Sequence, residues 1–208
     1  MPNFTDLTGL ASVAGALAAA VLLLPGISRL GKPRRATLLA AIFVLMLIPF
    51  GGMPLAAYVR GVTGDLSITT LVLLGFALPK NFWPGTRLKP WFGATDARSR
   101  HALLILIALS ALALYPMALG VGAFDPYRLG YGYPLFVSAL LLIALAAWFW
   151  KFFLIALCIA FATFAWSVGW YESSNLWDYL LDPFVSIYAL AAIMVHATKA
   201  LLQSPLPR

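Results

Sequence analysis

Apolar residues along this chain come in long, nearly unbroken runs, not at the period of two or 3.6 that marks a half-buried strand or a one-faced helix. Charged residues fall in short clusters between the runs. Such runs read as helices crossing a bilayer, because in lipid every backbone amide must be paired within its own segment. Seven are predicted. The first is Thr8–Ile27, and the second is Thr37–Tyr58, interrupted near its far end by Pro49, Gly51, Gly52 and Pro54. The third is Leu66–Phe82, with Asp65 and Ser67 suited to cap its start, and the fourth is Ala102–Phe124, kinked at Pro116. The fifth and sixth share Pro134–Trp170, and the seventh is Pro183–Leu202, opened by Asp182 as N-cap and Pro183 at the first helical position.

The stretch Pro134–Trp170 has Lys151 as its only charge. As one helix it would run about 55 Å, against a hydrocarbon core of about 30 Å. It is therefore expected to fold back around Trp148–Phe153, although no Gly, Pro or Asn marks a turn there.

Composition sharpens this picture. The chain is 62% hydrophobic and 10% charged, with mean hydropathy +0.92. A soluble domain carries about a quarter charged residues, so this chain has too few to cover a water-facing surface. No Lys or Arg precedes the first run, which is read as a retained span and not a cleaved signal. The single cysteine, Cys158, gives no disulfide framework and no cysteine metal site.

The charges also set an orientation. With the N-terminus outside and seven spans, 12 of the 14 basic residues fall on the cytoplasmic side, leaving Arg60 and Arg128 outside. Of the seven acids only Asp96 falls inside. This follows the positive-inside rule and accounts for the net charge of +7 through orientation and anionic lipid, without nucleic acid. The inner segment Lys80–Arg100, with Trp83, Trp91 and Phe92 among Arg87 and Lys89, suits a stretch lying on head groups.

The expected fold is thus all-α: one polytopic transmembrane bundle over residues 1–208, of about seven spans with six as the alternative, in the cytoplasmic (inner) membrane. An internal repeat is suggested between residues 35–83 and 100–150, with a third hairpin over 151–202. Each unit has a proline, a glycine-rich corner and an arginine: Pro49 and Arg60 in one, Pro116 and Arg128 in the other. A parallel repeat of this kind occurs among transporters.

Ionisable groups inside a bilayer are costly and mark candidate sites. Here they gather near the outer face: Arg60, Asp65, Asp125, Arg128, Glu172, Asp178 and Asp182, with Tyr58 and Tyr127 among the surrounding aromatics. Two arginines beside aromatics suit an anionic head group, which guanidinium grips bidentately. The plainer alternative pairs Arg60 with Asp65 and Arg128 with Asp125. Asp178 and Asp182 would share a face if that stretch is one helix. His101 and His196 sit at inner ends of spans, where head-group contact is the simpler role and axial haem ligation the sharper one. No metal or cofactor is expected. The order Arg60, Asp65, Thr69-Thr70 resembles the counter-ion helix of microbial rhodopsins, but Lys199 lies too near the inner end for a mid-membrane Schiff base, and no family follows.

Three function classes fit. The first is a non-catalytic accessory or assembly subunit of a cell-envelope complex, contacting lipids and other membrane proteins, with Gly9, Gly15, Ala18 and Ala19 allowing close helix contact. The second is a small transporter or lipid-handling protein holding an anionic head group at Arg60 and Arg128. The third is a membrane enzyme acting on envelope glycan or lipid through an outer acid.

Overall fold

The computed structural model describes residues 3–82 and 97–203, and these are predominantly helical. The expected all-α class is what the chain adopts. Seven helices have 15–22 residues: α1 (Phe4–Leu22), α2 (Lys32–Leu47), α4 (Ile68–Phe82), α5 (Ala97–Ala118), α6 (Pro134–Phe149), α7 (Phe153–Ser167) and α9 (Pro183–Gln203). Two shorter helices, α3 (Leu55–Thr63) and α8 (Leu176–Leu180), lie in connections. The segment expected to lie on inner head groups, around Trp83, Arg87, Lys89, Trp91 and Phe92, falls outside the described residues.

By length and composition, α1 and α5 are long and apolar enough to cross a membrane. Apolar stretches of 10–17 residues occur in α4, α6, α7 and α9. At 15 or 16 residues, α4, α6 and α7 are about 22–24 Å long, short of the roughly 30 Å hydrocarbon core. The predicted runs were longer because they counted residues that the chain gives to corners and caps.

The second run shows this most clearly. Its helix stops at Leu47, and the interruption seen in the sequence is a hairpin. Strands β1 (Pro49–Phe50) and β2 (Met53–Pro54) pair antiparallel, with Gly51 and Gly52 at φ 63° and 99° in the two-residue turn. Both glycines are in the left-handed region that such turns demand. Pro116 likewise lies in the last turn of α5, where the helix ends at Ala118.

The fold-back inside Pro134–Trp170 falls where expected, between Phe149 and Phe153. It closes as a Schellman motif: Phe152 N donates to Ala147 O and Lys151 N to Trp148 O. The same bond pair ends α5, from Val121 to Pro116 and Gly120 to Met117, and α7, from Trp170 to Ala165 and Gly169 to Trp166. The left-handed residue is glycine in those two, with φ 95° and 62°, but Lys151, φ 64°, in the third.

Two apolar cores result. A small one joins Val13 and Ala14 of α1 to Ala56 of α3, with Phe43 and Met46 of α2 packed against it. A larger one gathers α4 through α9 around Ile107, Leu154, Ala162 and Leu176. On α1, Ala18 and Ala19 are buried, and α2 is the element that packs most extensively along that helix. The small residues expected to meet a partner are thus spent largely within the chain. The segments compared as repeats are both helix–corner–helix, but their corners are built differently: a hairpin plus α3 in one, a 3-10 turn over Pro126–Gly130 in the other.

The starts of α5 and α7 and the end of α9 converge at one end. There Ser99 Oγ accepts from Leu154 N at 3.2 Å, the Arg98 guanidinium stands 4.8 Å from the Phe152 ring, and His101 and His196 have ring centroids 5.4 Å apart. The starts of α1, α4 and α9 converge at the other end, where the polar corner lies.

A non-glycine residue in the left-handed region costs about 1–2 kcal/mol. Lys151→Gly should therefore raise the thermal midpoint in detergent, while Lys151→Val, whose branched side chain fits that region worst, should lower it. Equal midpoints for both variants would contradict this account of the turn.

Candidate functional site

Arg60 is the hub of the polar corner. It lies in the last turn of α3, favourable for a cation at a helix C-terminus. Its Nε donates to Asp65 Oδ1 at 2.6 Å and its Nη2 to Asp65 Oδ2 at 2.9 Å, a bidentate pair closed across the α3–α4 connection. Its Nη1 reaches Asp6 Oδ1 at 3.3 Å, and Nη2 lies 3.5 Å from Glu172 Oε2. One guanidinium therefore ties α1, the α3–α4 connection and the α7–α8 connection. The Asp65 hydrogen bonds, outweighing partial burial, hold its pKa above the usual arginine value.

Gly9 makes room for this. A methyl at Gly9 would lie 2.7 Å from Arg60 Cζ and from Asp65 Oδ1. One residue earlier, the Thr8 hydroxyl donates to the Trp170 carbonyl, and Phe4 meets the Trp170 ring edge-on at 6.0 Å between centroids. The neighbouring Asp6 carboxyl pushes the Glu172 pKa above the ordinary 4.5, against the downward pull of Arg60.

A second centre is Asp182, 3% exposed. Its Oδ2 accepts from Ser67 N at 2.9 Å, from Ser67 Oγ at 2.7 Å and from Thr70 Oγ1, while its Oδ1 accepts from Val185 N at 2.9 Å. The carboxylate thus caps α9 and also faces the N-terminus of α4, where unpaired amides and the helix dipole favour an anion. Ser67 caps α4 through Thr70 N, as expected of it. Asp65 belongs to Arg60 instead.

A third centre lies around the 3-10 turn Pro126–Gly130. Asp125 caps it by accepting from Tyr127 N at 2.9 Å. The Tyr127 hydroxyl donates to Asp178, 3.0 Å from each carboxylate oxygen, and Ser173 Oγ donates to the same group. Burial and the facing carboxylate push the Tyr127 phenol up, so it remains a donor. Asn175 Nδ2 binds Tyr127 O at 2.9 Å, and the Trp177 indole donates to Pro126 O at 3.0 Å. Gly130 fits against Asn175, where any side chain would collide.

The candidate residues therefore separate into three centres. Arg60, Asp65 and Glu172 meet, joined by Asp6, which the candidate set lacked. Tyr127 and Asp178 meet, joined by Ser173 and Asn175. Asp182 stands apart from Asp178, because Leu181 between them is extended at φ −135° and ψ 142°. Arg128 is exposed and makes no ion pair with Asp125, whose carboxylate is used on the turn. Tyr58 staples the hairpin, its hydroxyl donating to Phe50 O at 2.9 Å. No contact joins Arg60 to Arg128 among the described residues. His196 binds its own helix, Nδ1 lying 2.7 Å from Ala192 O.

Two cavities lie beside the third centre. One of about 240 Å³ is bounded by Tyr115, Ala118, Tyr127, Trp177 and Asp178. The other, about 130 Å³, runs among α5, α6 and α7 and is almost wholly apolar. Trp177 and Leu181 border both.

Comparison with protein-family models, with curated proteins and with solved structures finds no match.

Overpacking a tight site costs about 1–3 kcal/mol. Gly9→Ala should destabilise the chain by about that much, whereas Gly15→Ala, whose nearest neighbour would be Phe43 at 4.0 Å, should be tolerated. Thermal melts in detergent compare the two, and equal melts would show that the guanidinium does not need the gap. The Glu172 carboxyl supplies a pH test. A folded-state pKa above the unfolded one contributes stability at low pH that is lost as pH rises through the raised value. Melting temperature should thus fall above pH 4.5 more steeply in the wild type than in Glu172→Gln, which cannot ionise. Parallel profiles would remove the influence of Asp6 on Glu172 from the account.

Proposed function

We propose that this chain is a multi-pass protein of the cytoplasmic (inner) membrane, with its N-terminus outside and C-terminus inside. In this reading it is a non-catalytic accessory or assembly subunit of a cell-envelope complex, in contact with lipid and other membrane proteins. One observation carries the reading: the outer-corner groups are committed to holding helices together. Arg60 is spent on three carboxylates, Asp182 on two helix starts, and Asp178 on Tyr127 and Ser173.

The same observation weighs against the other classes. A head-group site shared by Arg60 and Arg128 needs both guanidiniums open, and Arg60 is saturated. An outer-face enzyme would draw on Asp65, Asp125, Glu172, Asp178 or Asp182, each of which already has a structural partner. What remains open is apolar surface. Val44 and Leu45 on α2, and Leu142 and Phe149 on α6, are half or more exposed, as suits helices facing lipid or a neighbouring membrane protein.

Two measurements test this. With Cys158 replaced by Ala, Arg128→Cys should react with an impermeant maleimide in intact cells, and Lys151→Cys only after permeabilisation; the reverse pattern would invert the topology. Purified in mild detergent from its own membrane, the tagged chain should bring down a stoichiometric membrane partner. Recovery only as a lone chain from crosslinked and uncrosslinked membranes alike would end the subunit reading.

A further inference from the structure

The two histidines lie at the end of the bundle away from the polar corner, His101 near the start of α5 and His196 in the last turns of α9. Among the helices, α9 packs most extensively on α5. Both rings are exposed, and their centroids stand 5.4 Å apart at an interplanar angle of 56°. The His196 ring is held in one tautomer. Its Nδ1 lies 2.7 Å from Ala192 O, and a carbonyl oxygen only accepts. The proton is therefore on Nδ1, and Nε2 of the neutral ring keeps its lone pair. A backbone carbonyl on the far nitrogen is how a metal-ligating histidine is commonly oriented and made more basic.

We propose that His101 and His196 together bind one divalent transition-metal ion of tetrahedral preference, Zn²⁺, which clips the start of α5 to the end of α9. The ring separation carries this. A metal about 2.0–2.1 Å from a ring nitrogen is about 3.2 Å from the ring centre, so two imidazoles on one tetrahedral ion stand about 5.2 Å apart. The observed 5.4 Å matches that bent chelate. A linear pair, as on the two faces of a haem, needs about 6.4 Å at the same bond length. A right-angled pair on a square-planar ion needs about 4.5 Å. The tilt is also required. Rings stacked face to face would hold their in-plane lone pairs in parallel planes, where no ion could sit on both. No third His, Cys, Asp or Glu joins the pair among the described residues, so water completes the coordination. Arg98 and Arg100 on α5 and Lys199 on α9 are close in sequence and oppose a dication, but all three are exposed and screened. The bound ion is therefore exchangeable. This inference is independent of the subunit role and of the orientation in the membrane.

The test is titration calorimetry of the full chain in detergent with Zn²⁺ as the probe, after purification through a histidine-free tag and stripping with EDTA. The wild type should take up one equivalent. Co²⁺ in its place should give the intense visible bands of a tetrahedral ion. His101→Ala and His196→Ala should each weaken binding at least about tenfold. The double variant should lose no more than either single one, because one histidine alone makes no chelate. Glu172→Gln and Cys158→Ala should bind as the wild type does, which places the ion away from the Arg60 acids and from the thiol. Zn²⁺ should raise the melting midpoint of the wild type and leave both single-histidine variants unmoved. Both side chains are exposed, so the variants should fold, and their melts without metal check this. His101→Gln and His196→Gln replace any that do not. No uptake of Zn²⁺ by the wild type would overturn the site, and so would full binding in either single variant. Two equivalents with half lost in each variant would show separate histidines and not a chelate. Loss on Glu172→Gln with the histidines dispensable would move the ion to the acids, and weak six-coordinate Co²⁺ bands would overturn the tetrahedral assignment.

Discussion

The Arg60 guanidinium joins the two halves of the molecule. One half is a small core of α1, α2 and α3, and the other a larger core of α4 through α9. Across the seam between them, Arg60 supplies three carboxylates from separate parts of the chain with one charge. A guanidinium offers five donors in a rigid plane, so it can bind Asp65 bidentately and still reach Asp6 and Glu172. A lysine could not do this. Removing the hub would leave three acids close together, and for Asp65, whose side chain is only 15% exposed, burial of an unpaired charge costs more than the pair contributes.

Asp182 solves the same problem without a cation. Its charge is stabilised by backbone and hydroxyl donors at the starts of α4 and α9, two helix ends whose amides would otherwise lack partners. The device pins together helices that the chain separates by more than a hundred residues. Between them, the two carboxylate-centred contacts fix the relative depth of α1, α4 and α9, which apolar packing alone leaves free to slide.

Much of the fold was legible from the chain. The helical class followed from the runs, the fold-back near Lys151 from length, and the starts at Ser67 and Asp182 from capping chemistry. Helix ends were less legible, because apolar residues continue into corners: Ile48–Phe50 reads as helix until the two glycines turn it into a hairpin. The candidate site divided by sequence distance. Arg60 and Asp65 are five residues apart and could be paired on sight, whereas Asp6 and Glu172 arrive from remote segments. Gly9 looked like a surface for a partner helix, and its role as a recess for a guanidinium depends on a side chain more than fifty residues away. Asp178 and Asp182 stand one helical turn apart, but the extended Leu181 sends them to different partners. Lys151 shows the limit from the other side. A length argument located the turn, yet nothing in the local residues announced which one would take the left-handed conformation.

These constraints bear on what the polar corner can do. A polar group in an apolar setting is open to ligand only when the fold has not already satisfied it. By that criterion Arg60, Asp65, Asp178 and Asp182 are closed, and Arg128 is left exposed without an ion pair among the described residues. Arg128 belongs to the 3-10 turn Pro126–Gly130, held in place by Asn175 and Trp177. Elsewhere in the larger core, α6 packs along α7 with no comparable packing on α5. A loosely attached helix is costly in water but tolerable in a bilayer, where lipid covers its exposed apolar face as well as protein would. The acids of the corner are thus spent inside the fold, and what it leaves uncommitted is apolar surface and one cation.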